Sequence, residues 1–344
     1  MRSPDDLRSE FLRFAGEECR GSSPLYERLS RAVAEDPEML ALASRPREGQ
    51  RAPNLFFAAV HFLLLKGVAH PLVRFYESLS GAFDGTEDPY PSFRSFCLEH
   101  GGEVAKLVSS RLVQTNEVRR CACLLPAFVL VARMSPGRPL YLIEIGAAAG
   151  LLLLWDHYGY RYGDTLECGD RDSPVQLVCG LRGEGSPAIP DVLPPVASRL
   201  GIDLNPIDAR APDAGLWLRA LIWPEHRERA RLLARAIEVA QRDPPPLIGG
   251  DAVEILPKIL SLVPPECALC VFRAWTWIPQ NARERMSSLL AEYGAERDLF
   301  VISTAGQRGN EMDLRLTSFV KGVKTVELIA RCETHGGWLE WLRS

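Results

Sequence analysis

Leu140-Tyr141-Leu142-Ile143-Glu144-Ile145-Gly146-Ala147-Ala148-Ala149-Gly150 is the stretch that decides the fold. Leu140–Ile145 is an apolar run of strand length with one acid near its end, the pattern of a strand buried on both faces. Five small residues then form a turn, and Leu151–Trp155 begins an apolar helix. A strand, a tight small-residue turn and a helix start leave backbone N–H groups pointing outward with no side chain in the way, so a polar or anionic cofactor can come close. A nicotinamide-binding turn prefers G-x-G-x-x-G. Here the spacing is acid-x-G-x-x-x-G, with Ala148 where many such turns carry glycine. A buried strand followed by an ordinary turn reads the same way, so the flanking chain must discriminate.

Downstream, strands and helices alternate, as in a doubly wound sheet. Tyr158-Gly159-Tyr160-Arg161-Tyr162 alternates aromatics with period two, and with Val175–Leu181 it predicts a β-hairpin insertion near 158–198. Arg199–Pro206 reads as a strand ending in Asp203. Leu216–Gln241 is a long amphipathic helix interrupted at Trp223-Pro224 and stopped by Pro244–Pro246. Leu247–Ala252 is a strand ending in Asp251-Ala252, followed by a helix over 253–262. Ala268–Trp275 and Asp298–Thr304 are strands around a helix at Asn281–Tyr293. Thr325–Arg331 and Gly337–Leu342 predict a closing hairpin.

Upstream, residues 1–137 read as helices with no strand pattern. Asn54–Lys66 is strongly apolar and central, and Asn116–Met134 is a long apolar helix ending at Ser135-Pro136-Gly137. The expected organisation is an N-terminal helical domain over 1–137 and a cofactor-binding α/β domain over 138–344.

Of 344 residues 47% are hydrophobic and 24% charged, with a net charge of −4. That balance suits one large or two ordinary globular domains and argues against nucleic acid as an obligate partner, because no excess of Lys and Arg is present to neutralise phosphate. Met1–Glu10 is charged and polar, which predicts no secretory leader. Lys66, Arg133 and Glu144 interrupt the longest apolar runs, so no membrane span is expected. Nine cysteines are scattered, and Cys267-Ala268-Leu269-Cys270 lies in an apolar strand without a second pair, which reads as buried thiols with no metal site. The cytoplasm is the expected compartment.

The acid before the first glycine of the turn is similar to the first motif of class I S-adenosylmethionine (SAM) methyltransferases. Asp203 sits where a doubly wound fold puts a carboxylate to accept from both ribose hydroxyls. Asp251-Ala252 resembles the position that contacts the adenine edge. Asp203 lies well beyond the usual ~20 residues from the turn, which requires Tyr158–Ser198 to be an insertion. Otherwise Glu167 or Asp170 takes the ribose.

The whole chain also resembles an uncharacterised bacterial family with a methyltransferase-like domain. The matching stretches are N-L-F-F-A-A-V-H from Asn54, Q-T-N-E-V from Gln114, E-I-G-A-A-A-G-L from Glu144, the Tyr-rich segment from Tyr158, G-I-D-L-N-P from Gly201, W-L-R-A-L-I-W-P-E from Trp217, G-D-A from Gly250 and H-G-G-W-L-E-W from His335. The resemblance implies a Rossmann-like seven-strand class I SAM methyltransferase sheet, with SAM held by Glu144, Gly146, Ala147, Gly150, Asp203, Leu204, Asp251 and Ala252. The chain departs from the family in A-A-A-G-L-L, where A-S-A-G-L-N is usual, and in Arg273-Ala274-Trp275-Thr276-Trp277. A branch of this kind includes azetidine-2-carboxylate synthases, which cyclise SAM itself.

SAM is a sulfonium with electrophilic carbons, and methyl transfer needs an acceptor held in line, often with a general base. No Asn-Pro-Pro-Tyr or Asp-Pro-Pro-Tyr run follows the fourth strand, which argues against methylation of an amino group on a base. Trp275 and Trp277 stand there instead, and an aromatic face stabilises a cation by roughly 0.5–2 kcal/mol. The reaction that the synthase resemblance implies fits this: the SAM α-amine attacks its own γ-carbon and methylthioadenosine leaves. Asn116 and Glu117 would position the amine, and Tyr158, Tyr160 and Tyr162 would close the site. The packing alternatives are a Trp-x-Trp in the core, tyrosines that stabilise a hairpin, and Asn116-Glu117 as a helix cap. His61 and His70 sit among apolar residues and read as core histidines. The alternatives to a cyclase are a small-molecule methyltransferase and a non-catalytic SAM-binding protein.

Overall fold

The computed structural model describes residues 3–80, 85–187, 189–276 and 278–343. They form two compact units, one of residues 1–115 and 211–234, the other of 116–210 and 235–344. Contacts therefore do not divide the chain at residue 137. The long apolar helix after Asn116 lies with the strands, and the Trp217 segment lies with the helices.

The first unit contains α1 (Pro4–Arg13), α2 (Pro24–Val33), α3 (Pro37–Ala43), α4 (Ala52–Leu65), α5 (Glu77–Ser80), α6 (Tyr90–Glu99) and α7 (Gly101–Ser110). Ser3, Ser23 and Asp36 cap α1, α2 and α3 through their side-chain oxygens, each just before a proline in the first turn. Helix α4 is buried almost all round and is the centre of the core. Tyr26 stacks on its Phe57 with ring centroids 4.5 Å apart. Helix α9 (Pro212–Ala220) joins this core through Trp217, whose indole N–H donates to the Leu112 carbonyl at 2.9 Å.

The second unit contains α8 (Arg120–Met134), α11 (Ala252–Leu260) and α12 (Gln280–Glu296), and α10 (Arg227–Arg242) begins in the first unit and ends in the second. Its strands are β1 (Leu140–Ile145), β2 (Gly159–Tyr162), β3 (Leu166–Gly169), β4 (Gln176–Arg182), β5 (Val196–Asp203), β6 (Leu247–Gly249), β7 (Ala268–Arg273), β8 (Leu299–Arg308), β9 (Glu311–Val320), β10 (Val323–Glu333) and β11 (Trp338–Trp341). They make one mixed sheet in the order β3-β2-β4-β11-β10-β9-β8-β7-β1-β5-β6. Strands β6, β5, β1, β7 and β8 are mutually parallel, and the chain winds outward from β1 in both directions. Ile143 and Ile145 face a cluster with α11 and α12. The opposite face meets α8, where Phe128 lies edge-on to Phe272 at 5.2 Å.

The expected seven strands become eleven for two reasons. First, β8 turns back into β9 and β10 as an antiparallel meander. Second, the tyrosine-rich segment extends the sheet: β2 and β3 form the hairpin, β4 pairs with β2 in parallel, and β4 then pairs with β11. The helix expected after the glycine turn is a 3₁₀ helix over Leu151–His157, with Leu154 outside helical geometry. Among the described residues no helix is long and apolar enough to cross a membrane.

Candidate functional site at the strand ends

The described residues that the sequence singles out for binding and catalysis all belong to the second unit. The turn after β1 is held by β5. Gly146 and Ala147 both donate to the Ile202 carbonyl, at 2.8 and 3.3 Å. Gly201, paired with Glu144, leaves room for this approach: a Cβ there would stand 2.6 Å from that of Ala147. Gly146 has φ +77°, and a Cβ on it would fall 2.3 Å from the Thr276 side chain. Ala148 takes φ +49°, the left-handed conformation that glycine adopts without cost. Its N–H donates to Asp203 Oδ2 at 2.8 Å, and Asp203 Oδ1 accepts from the Asn205 N–H at 2.8 Å. The pairing of β1 with β5, which follows the strands of Tyr158–Arg182, brings the acid and the turn together.

Glu144 is paired with Phe272 across β1 and β7, so its side chain lies on the α8 face. It is 2% exposed, and its Oε2 has no hydrogen-bond partner among the described residues. Burial, then the nearby Asp203 charge, push its carboxyl well above the usual range, against a smaller pull from Arg120. An ionised carboxylate placed there would cost several kcal/mol, so burial favours the neutral form of Glu144. Asn116 is also buried, and its Nδ2 has no partner among the described residues.

Trp275 has φ +57°, an outlier for a bulky side chain, and its backbone N–H donates to Thr304 Oγ1 at 2.8 Å. The Arg120 guanidinium lies 4.6 Å from the centre of its ring and donates to the Thr334 carbonyl at 2.9 Å. A cation therefore already stands over one face of this tryptophan. Trp277 lies outside the described residues. Past β6, Gly250 donates to the Asp203 carbonyl at 2.9 Å, and Asp251 caps α11 by accepting from the Val253 N–H at 2.8 Å. Ala252 opens that helix, and Leu204 beside Asp203 is 72% exposed.

Other expected site residues stand apart. Glu117 is buried, and like Asn116 it precedes α8. Tyr158, Tyr160 and Tyr162 are fully buried and donate to the carbonyls of Leu151, Trp155 and Ala122 at 2.8, 2.5 and 2.6 Å. All three rings are packed in the core with their hydroxyls engaged. Glu167 and Asp170, the alternative ribose ligands, lie in and beside β3 at the far end of the sheet from Asp203. His61 is a core histidine, bonded to Ser78 Oγ at 2.8 Å and to the Ala220 carbonyl at 3.1 Å. Cys267 and Cys270 are buried free thiols.

Sequence reasoning missed Arg120, Thr276 and Thr304. The Arg119-Arg120 pair at the start of an apolar helix was the available signal for Arg120. Nothing in the pattern marks the two threonines.

No curated protein and no solved structure matches the chain. Residues 8–341 match the bacterial family described as "uncharacterized protein conserved in bacteria (DUF2332)", and the chain belongs to that family.

Proposed function

We propose that this protein binds SAM at the C-terminal ends of β1, β5, β6 and β7 and consumes it as substrate. One observation carries the reading. The Asp203 carboxylate and the Ala148 N–H make the turn and the acid one unit, at the point where strand order reverses around β1. In open α/β sheets that is where ligands bind. The donor set also fits the ligand. Glu144 Oε2, Asn116 Nδ2 and Trp275 Nε1 are buried and have no partner among the described residues, at about 1–3 kcal/mol for each such atom. An amino-acid end with an ammonium and a carboxylate would supply their partners. The Asp203 carboxylate stands at the strand end where a doubly wound fold presents an acid to ribose hydroxyls. Leu204, Asp251 and Ala252 would meet the adenine, and Gly146, Ala147 and Gly150 would lie beside the amino-acid end, with the Thr276 side chain closing over Gly146.

The reaction we favour is cyclisation to azetidine-2-carboxylate. The α-amine nitrogen bonds to the γ-carbon, the bond from that carbon to sulfur breaks, and methylthioadenosine leaves with the electron pair. The amine must give up a proton. Glu144 suits this role, because a carboxyl of raised pKa is a matched base once ionised. The two cations of SAM outweigh its one carboxylate and would draw Glu144 into its charged form. One observation favours methyl transfer instead: Arg120 occupies a face of Trp275, which weakens that ring as a sulfonium holder.

Incubation with SAM alone, read by mass, tests the proposal. Cyclisation gives methylthioadenosine and the four-carbon cyclic amino acid, and Glu144→Gln slows it by at least about ten-fold, in the usual range for a lost acid–base group. Turnover only with an added acceptor moves the chemistry to methyl transfer. Bound but intact SAM under every condition leaves a binding protein. No binding overturns the site.

A further inference from the structure

On the other face of the sheet from Glu144, a cavity of about 320 Å³ lies between α12 and strands β7 to β10. Arg273, Arg283, Arg315 and Lys324 line it, and no aspartate or glutamate does. We propose that this cavity binds a small amphiphilic anion, a phosphoryl group carried on an apolar body.

Alternation along the strands brings the charges together. Arg273 ends β7 on the face that Leu269 and Val271 bury, and it pairs with Ser303 of β8. Arg315 pairs with Ser303 from β9. Arg273 is half-buried and makes no ion pair among the described residues. Burial, then the neighbouring Arg283 charge, lower its pKa. Arg315 has a distant partner, Asp313 at 3.5 Å. Cations held this way repel one another until an anion arrives, and the arginine fork matches phosphate oxygens in pairs. Ser287, Ser303 and Thr317 add hydroxyl donors. The rest of the wall, with Ile145, Val271 and Met286, is apolar, so a bare inorganic ion would leave it uncovered. The volume is at the small end of ligand sites, which suits a single ring bearing one phosphate.

Calorimetric titration with phenyl phosphate, inorganic phosphate and phenol tests this. The expected result is binding of phenyl phosphate at least about ten-fold tighter than either fragment, as when charge and apolar surface both contribute. Arg273→Met should weaken it by about ten-fold or more, the usual consequence of losing a charged partner. The exposed Arg283→Ala, which does not touch the core, should weaken it too. Phenyl phosphate binding no better than inorganic phosphate, or binding unchanged in both variants, overturns the proposal. SAM binding is not involved in either arm, so this result is independent of the strand-end site.

Discussion

Ala148 is an L-residue held in a left-handed backbone because Asp203 accepts its N–H and β5 presses on the turn. That conformation costs about 1–2 kcal/mol for a residue with a Cβ. Ala148→Gly removes this strain, while losing a buried methyl, about 0.8 kcal/mol, and adding chain entropy to the unfolded state, about 0.4–1 kcal/mol. The terms nearly cancel. Urea unfolding should find Ala148→Gly within about 0.5 kcal/mol of wild type and Ala149→Gly, which relieves nothing, about 1–2 kcal/mol less stable. Equal losses in the two variants would refute the strain argument. At this scale the sequence was informative where one residue type breaks a pattern. Glu144 in an apolar strand and Asp203 at a strand end announced themselves. Arg120 over Trp275 did not, since a contact between residues 155 positions apart has no local signature.

The tyrosines in and just before β2 are an element-scale device. Pro126 sits inside α8 and has no N–H to give the Ala122 carbonyl, four residues earlier. The Tyr162 hydroxyl fills that vacancy at 2.6 Å. Tyr158 and Tyr160 satisfy carbonyls of the 3₁₀ helix in the same way. Tyr162→Phe leaves a buried carbonyl without a donor and should cost about 1–3 kcal/mol. In a Pro126→Ala background the helix regains its own N–H, so the same change should cost at least about 1 kcal/mol less in a double-mutant cycle. Additive losses would sink the pairing. Strands β1 and β7 were readable because burial on both faces makes an apolar run. The 3₁₀ helix and β9 were not. Leu151–Trp155 is equally apolar in either helix type, and β9 carries a buried charge at Asp313 whose partners Arg308 and Arg331 come from the strands on either side.

For the whole molecule, acid sensitivity should come first from the helical unit. His61 is buried there, and burial lowers its pKa from 6.5 to about 4. The unfolded chain takes up the proton below pH 6.5, but the folded one does not until about pH 4. Stability is therefore complete above pH 6.5 and falls as pH drops through that window, by on the order of 3 kcal/mol. The difference in unfolding free energy between wild type and His61→Gln, followed from pH 7.5 to 4.5, should shrink by that order. A parallel pair of curves would show that His61 is not the cause. Glu144 has the opposite sign: its raised pKa costs stability as pH rises above the ordinary carboxylate range. Neither the exchange of segments between units nor the count of eleven strands was legible. Each depends on pairings far apart in the chain, and hydrophobic pattern is blind to them.

The pairing of β4 with β11 has a consequence for the order of events at the ribosome. Tyr158–Arg182 can make its own small sheet as soon as it emerges, but its link to the main sheet is Trp338–Glu340. Roughly 150 further residues must be synthesised first, which takes on the order of ten to thirty seconds at bacterial rates. Throughout that wait the inner edge of β4, with the exposed Val178 beside it, is an open template for a neighbouring chain. The last short strand is thus the step that retires this open edge of the nascent chain.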